Sequence, residues 1–260
     1  MAKKNWSREE HIVAFNLYCK VPFTKINSSN KAIQELAPII GRSVGAVTMK
    51  LANFVRLDPD LQKRNISGLT QGAKGEEEVW EEFNGNWEEL SWQSEKILAK
   101  LKGQSIESTV QEDKDDLILE GKEKESIVKT RVNQSFFRKT VLASYNFSCC
   151  ITGISIQDLL IASHIIPWSR DNSNRVNPAN GLCLNSFHDK AFDRGLITVT
   201  PDYRIKTSQI VTNTKDKETS KYFLPYDGQK IKLPQKFYPD VKFLKWHNDN
   251  IFRDQGDKRR

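Results

Sequence analysis

The run Asp158 to His164, then Asn180-Gly181-Leu182, then His188-Asp189-Lys190-Ala191-Phe192-Asp193-Arg194-Gly195-Leu196-Ile197 constrains the fold of this 260-residue chain most tightly. The first run is short and apolar, as a strand is, and delivers His164 at its end. Asn180-Gly181 is a strong turn signal ahead of a second apolar run. Ser186 to Asp193 reads as a helix, and a four-residue step places Asp189 and Asp193 on one of its faces. A strand, a strand and a helix can carry an imidazole, an amide and a His-Asp pair to one metal ion. Adjacent helical residues point about 100° apart, so His188 and Asp189 do not both serve one ion in the same way.

From about Arg131 to Phe252 the chain resembles the HNH endonuclease family, in the bacterial branch that reads Ala-Ser-His-Ile, Asn-Gly-Leu and His-Asp-x-x-Phe-Asp-x-Gly-Leu-Ile. Cys150-Ile151-Thr152-Gly153 and Phe243-Leu244-x-Trp246-His247 flank the motif in the family manner. The resemblance implies a ββα-metal nuclease domain that hydrolyses DNA phosphodiester bonds with a divalent cation, Mg²⁺ first and Mn²⁺ second. It implies that His164 is the general base and that Asn180 braces the loop around it. It implies a catalytic or ligand role for His188, and metal contacts from Asp189, the favoured ligand, from His188, its rival, and from Asp193, which is otherwise a structural group. One position departs from the pattern: many relatives place a metal-binding Asp or His just before the base, where this chain has Ser163. A hydroxyl is a poor ligand for a hard divalent cation. Ser163 therefore keeps open a DNA-binding protein whose nuclease has lapsed. The four cysteines, Cys19, Cys149, Cys150 and Cys183, form no Cys-x-x-Cys pair, so a structural zinc is not supported. His247 is read as packing beside Trp246, and His11 as a surface residue.

Charge divides the chain in three. Residues 1–75 hold 12 Lys and Arg against 5 Asp and Glu, residues 76–130 hold 7 against 16, and residues 131–260 hold 21 against 12. Two basic blocks attract a polyanion and gain affinity by releasing its counterions. In the first block, Ser7 with Glu10 is a capping box. Ile12, Val13, Phe15, Leu17 and Tyr18 follow at helical spacing; a second helix runs to Gly41, and Ser43 caps a third with Val44, Val47, Leu51 and Phe54 inward. This resembles a helix-turn-helix unit. Arg42, Ser43, Thr48, Lys50 and Asn53 are its expected DNA contacts, with Arg170 and Arg175 joining from the loop between Pro167 and Pro178. A helical bundle for protein contact is the competing reading.

The fold expected is α+β: a helical recognition domain over 1–102, a charged linker over 103–130, and the nuclease domain over 131–260. The activity expected is sequence-specific, metal-dependent cleavage of double-stranded DNA, as in restriction. A methylcytosine-directed enzyme and a non-specific or nicking nuclease stand as alternatives. Cutting both strands suggests a homodimer. No apolar run approaches the length of a membrane span, and the N-terminus lacks the apolar core of a secretory signal, so cytoplasmic residence is expected.

Overall fold

The computed structural model describes residues 5–66, 68, 72–109 and 121–254, with side chains from 125 onward in the last stretch. The chain divides into two compact units that meet in sequence at Ser144 and Tyr145.

The first unit is helical among its described residues: α1 (Arg8–Lys20), α2 (Lys31–Ile39), α3 (Val44–Val55), α4 (Pro59–Gln62), α5 (Lys74–Phe83), α6 (Trp87–Lys102), α7 (Ile106–Thr109) and α8 (Gly121–Ser144). The boundaries follow capping chemistry. Ser7 accepts from the Glu10 amide while the Glu10 carboxylate receives the Ser7 amide at 2.6 Å, closing the capping box. Asn30 caps α2 and Ser43 caps α3. Helix α1 packs on α3, α5, α6 and α8, and Phe15, Tyr18, Phe54 and Trp80 form its aromatic centre.

Helix α8 belongs to this unit. Ser91 donates to Asn133 at 2.6 Å, Trp87 stacks on Phe136 at 6.5 Å, and Val128 and Val132 pack with Trp92 and Ile106. A domain start at 131 therefore falls inside a helix committed to its N-terminal neighbours. Of the expected linker, residues 110–120 lie outside the described residues; 106–109 and 121–130 are helical.

The second unit is α+β, as expected. Strand β1 (Leu160–His164) pairs antiparallel with β2 (Gly181–Asn185), with His164 opposite Gly181 and Ser163 opposite Leu182. Helix α9 (Ser186–Asp193) follows β2 without a loop and packs on both strands. Strands β3 (Ile197–Val199) and β4 (Ile205–Thr207) form a hairpin, and α10 (Gln209–Thr212), α11 (Lys217–Phe223) and α12 (Val241–Asn250) complete the unit. Gly195 ends α9 at φ +67°, where a Cβ would lie 2.1 Å from the Ile251 carbonyl oxygen. Only glycine permits that turn, and it brings α12 against α9. His247 of α12 fixes the contact. Its ring stacks on Phe192 at 3.7 Å, its Nε2–H donates to the Phe192 carbonyl at 3.2 Å, and its Nδ1 accepts from the Thr198 hydroxyl at 2.8 Å. The packing partner is thus Phe192. No helix among the described residues is long and apolar enough to cross a membrane.

Candidate active site

His164 ends β1 half-buried. Its Nε2–H donates to the Arg175 carbonyl at 2.9 Å. A carbonyl only accepts, so the ring proton sits on Nε2 and the imidazole lone pair on Nδ1. Burial lowers the His164 pKa below its ordinary value, against a smaller upward pull from the Arg175 carbonyl. A neutral imidazole with a defined tautomer is the form a general base needs.

The loop between β1 and β2 is tied at several points. Arg175 donates from Nε to the Trp168 carbonyl at 2.8 Å, and its guanidinium lies 5.2 Å over the Trp168 ring. Trp168 in turn meets the His164 ring edge-on at 5.6 Å. Asp171 caps the loop turn through the amides of Ser173 and Asn174. Asn180 is almost fully buried; its Oδ1 accepts from the Ile166 amide at 2.8 Å, and its Nδ2 donates to the carbonyls of Ile166 and Asn174 at 3.1 and 3.2 Å. The Asn180 side chain therefore holds the chain just past His164. Arg175 is spent on the loop, whereas Arg170 is exposed.

Helix α9 presents the acids. Asp189 lies against the buried Ser163 hydroxyl, one residue before His164; that oxygen finds no partner of full hydrogen-bond geometry but is close enough to pull the Asp189 pKa down. Burial outweighs this pull and raises the Asp189 pKa. Asp193, exposed at the end of α9, is raised by partial desolvation and then by the charge of Asp189. Two carboxylates that resist ionisation side by side, next to an orphaned buried hydroxyl, are a donor set that a divalent cation would relieve. Among the described residues, no group of three or more His, Cys, Asp or Glu side chains is placed to hold a metal by itself.

His188 is turned elsewhere. It is 3% exposed. Its Nε2–H donates to the Tyr222 carbonyl at 3.0 Å, and its Nδ1 accepts from Asn185 Nδ2 at 2.9 Å. Phe187, Phe223 and Tyr226 surround the ring edge-on. Both nitrogens are committed to fixing α9, which leaves His188 outside the acid pair. Asn185 is the residue the motif reading missed. Its Oδ1 caps α9 through the amides of Phe187 and His188 at 3.1 and 3.0 Å while its Nδ2 fixes His188. An Asn directly before a helical pattern was the available signal. Cys149, Cys150 and Cys183 are buried free thiols, and burial pushes the Cys150 pKa well up.

The expected DNA contacts of the first unit are placed differently from expectation. Lys50 was expected to point outward, but it is 5% exposed; its ammonium is paired with the fully buried Glu76 and donates to His11 Nε2 at 3.2 Å. Asn53 donates to the same Glu76 at 2.7 Å. Arg42 is clamped on Glu10 at 2.9 and 2.8 Å and donates to the Asn5 carbonyl at 2.7 Å. Ser43 caps α3, and Thr48 donates to the Val44 carbonyl. The outward face of α3 carries Gly45 and Met49, the latter 60% exposed. His11 is buried as well, its pKa lowered by burial and then by Lys50.

Residues 149–200 match a family model described as HNH endonuclease. The matched segment opens at Cys149, spans β1, β2, α9 and β3, and contains Ser163, His164, Asn180, His188, Asp189 and Asp193. A comparison with curated proteins finds no match.

Proposed function

With residues 149–200 an HNH endonuclease segment, we propose that this chain is a metal-dependent, sequence-specific DNA endonuclease of the restriction type. The observation that carries the reading is the pinned imidazole of His164 beside the Ser163–Asp189 contact. In this mechanism, His164 Nδ1 takes a proton from water, the resulting hydroxide forms the new P–O bond, and the bond to the 3′ oxygen breaks. The leaving oxygen takes a proton from solvent, and the product carries a 5′-phosphate. Asn180 and the Trp168–Arg175 contact keep the imidazole in place. Asp189 and Asp193 would hold the divalent ion, Mg²⁺ or Mn²⁺, which supplies polarisation of the phosphate and charge stabilisation at the leaving oxygen. His188 is a structural residue in this account. Two chains, one per strand, would cut a duplex, and the first unit would direct the cut.

The test is incubation of the purified chain with unmodified and cytosine-methylated phage DNA in Mg²⁺, Mn²⁺ or EDTA. Discrete metal-dependent fragments from unmodified DNA support the proposal. Fragments from methylated DNA alone would transfer it to modification-directed cleavage, and a smear would remove sequence specificity.

A further inference from the structure

The first unit carries a cleft of about 670 Å³, partly open to solvent. Its walls come from the start of α1, from the turn and first half of α3, and from the start of α5. The size falls in the range of small-molecule sites, about 300–1,000 Å³. The space is maintained by small residues. Ala46 and Gly75 line it, and a Cβ on Gly75 would come within 2.8 Å of His11 Cε1.

The lining is unusual in two respects. Its prominent groups are flat: the Trp6 indole, the His11 imidazole 5.8 Å from it, and the Arg42 guanidinium 5.0 Å over the indole. Its cations are also already matched: Arg8 with Glu82, Arg42 with Glu10, and Lys50 with Glu76. A phosphate receptor needs unmatched positive charge. A cavity with flat walls, paired charges and both donors and acceptors suits an uncharged planar ring with a hydrogen-bonding edge.

We propose that this cavity receives a single unstacked base of a DNA strand. The site of base reading is therefore the interior of the first unit and not the outward face of α3. Extruded bases are held elsewhere in this manner, between flat side chains with polar groups at the base edge. The inference rests on the first unit being the DNA-recognition domain, and it is independent of the cleavage chemistry.

The test is binding in EDTA, by fluorescence anisotropy, of duplex oligonucleotides carrying one bulged nucleotide (A, C, G, T or 5-methylcytosine) or an abasic bulge. The wild-type chain is expected to bind at least one bulged base more tightly than the abasic bulge by about five-fold or more, the lower end of what stacking one base contributes. Ala46→Leu, which fills the cavity, is expected to bring that ratio to about one while leaving affinity for plain duplex unchanged. Trp6→Leu, which removes the flat wall, serves the same purpose if Ala46→Leu does not fold, as judged by circular dichroism. Equal affinity for base and abasic bulges would overturn the proposal, as would a preference that survives both variants or an absence of DNA binding. Competition by free nucleoside monophosphates as strong as by the bulged strand would overturn it in favour of a small-molecule site. A chain that cuts DNA without the base preference refutes only this inference. A chain with the preference that does not cut refutes only the nuclease reading.

Discussion

Acidification from pH 7 to 4.5 should destabilise the second unit largely through His247. Burial holds its pKa at about 4, against 6.5 for an ordinary histidine. Below pH 6.5 the unfolded chain takes up a proton that the folded chain refuses until about pH 4. Stability from this group is complete above 6.5 and is lost as pH falls through that window. At 1.36 kcal/mol per pKa unit, the loss by pH 4.5 is about 2 kcal/mol. The structural cause is specific. Nδ1 accepts from Thr198 and therefore has no room for a proton, and the ring is sandwiched on Phe192 away from water. The assay is urea denaturation of the full chain at the two pH values, with wild type beside His247→Gln, and histidine-ring NMR to follow the titration. The variant is expected to be less stable at pH 7 and to lose about 2 kcal/mol less on acidification. An identical pH dependence, or a His247 resonance titrating near 6.5, would refute the reasoning.

Other perturbations follow from the same contacts. Asp189→Asn should abolish cleavage yet raise the melting temperature of the metal-free protein by about 2 °C in scanning fluorimetry, because burial and Asp193 disfavour the ionised acid; this gain should vanish below the range where carboxylates ionise. Lys50→Met should cost the first unit about 3 kcal/mol by removing the closest cation from the buried Glu76 carboxylate and leaving it only the Arg56 guanidinium at 3.6 Å, and adding Glu76→Gln should recover most of it in chemical denaturation. Arg175→Ala should loosen the contact with Trp168, hydrate His164 and move the acid limb of the single-turnover pH–rate profile upward. A slower rate with an unmoved limb would instead make Arg175 a phosphate contact.

The ββα unit was legible because its signals are local and agree. An apolar run ends on His164, a turn carries Asn180, and a short helical pattern bears Asp189. What was not legible depended on distant partners. The position of Lys50 on α3, about 60° from Val47 at 100° per residue, put it on the flank of the apolar stripe. Whether it faced water was decided by Glu76 from another helix. His188 was similarly ambiguous, since its fate was set by the Tyr222 carbonyl, 34 residues away. The start of the second unit was masked because α8 lies at the head of a basic block. Its apolar residues Val132 and Phe136 are nonetheless committed to α6, and composition carries no record of which core a helix joins.

The most direct test of the account is single-turnover cleavage of phage DNA by wild type and His164→Ala in Mg²⁺ and in EDTA, with DNA binding measured in parallel. The account predicts metal-dependent cutting with 5′-phosphate ends by the wild type, and loss of cutting with intact DNA binding in His164→Ala. Cutting by the variant at an ordinary rate would contradict the role of His164. Binding without cutting by the wild type would mean that the chain binds DNA with a lapsed nuclease, as Ser163 in place of an acid would imply.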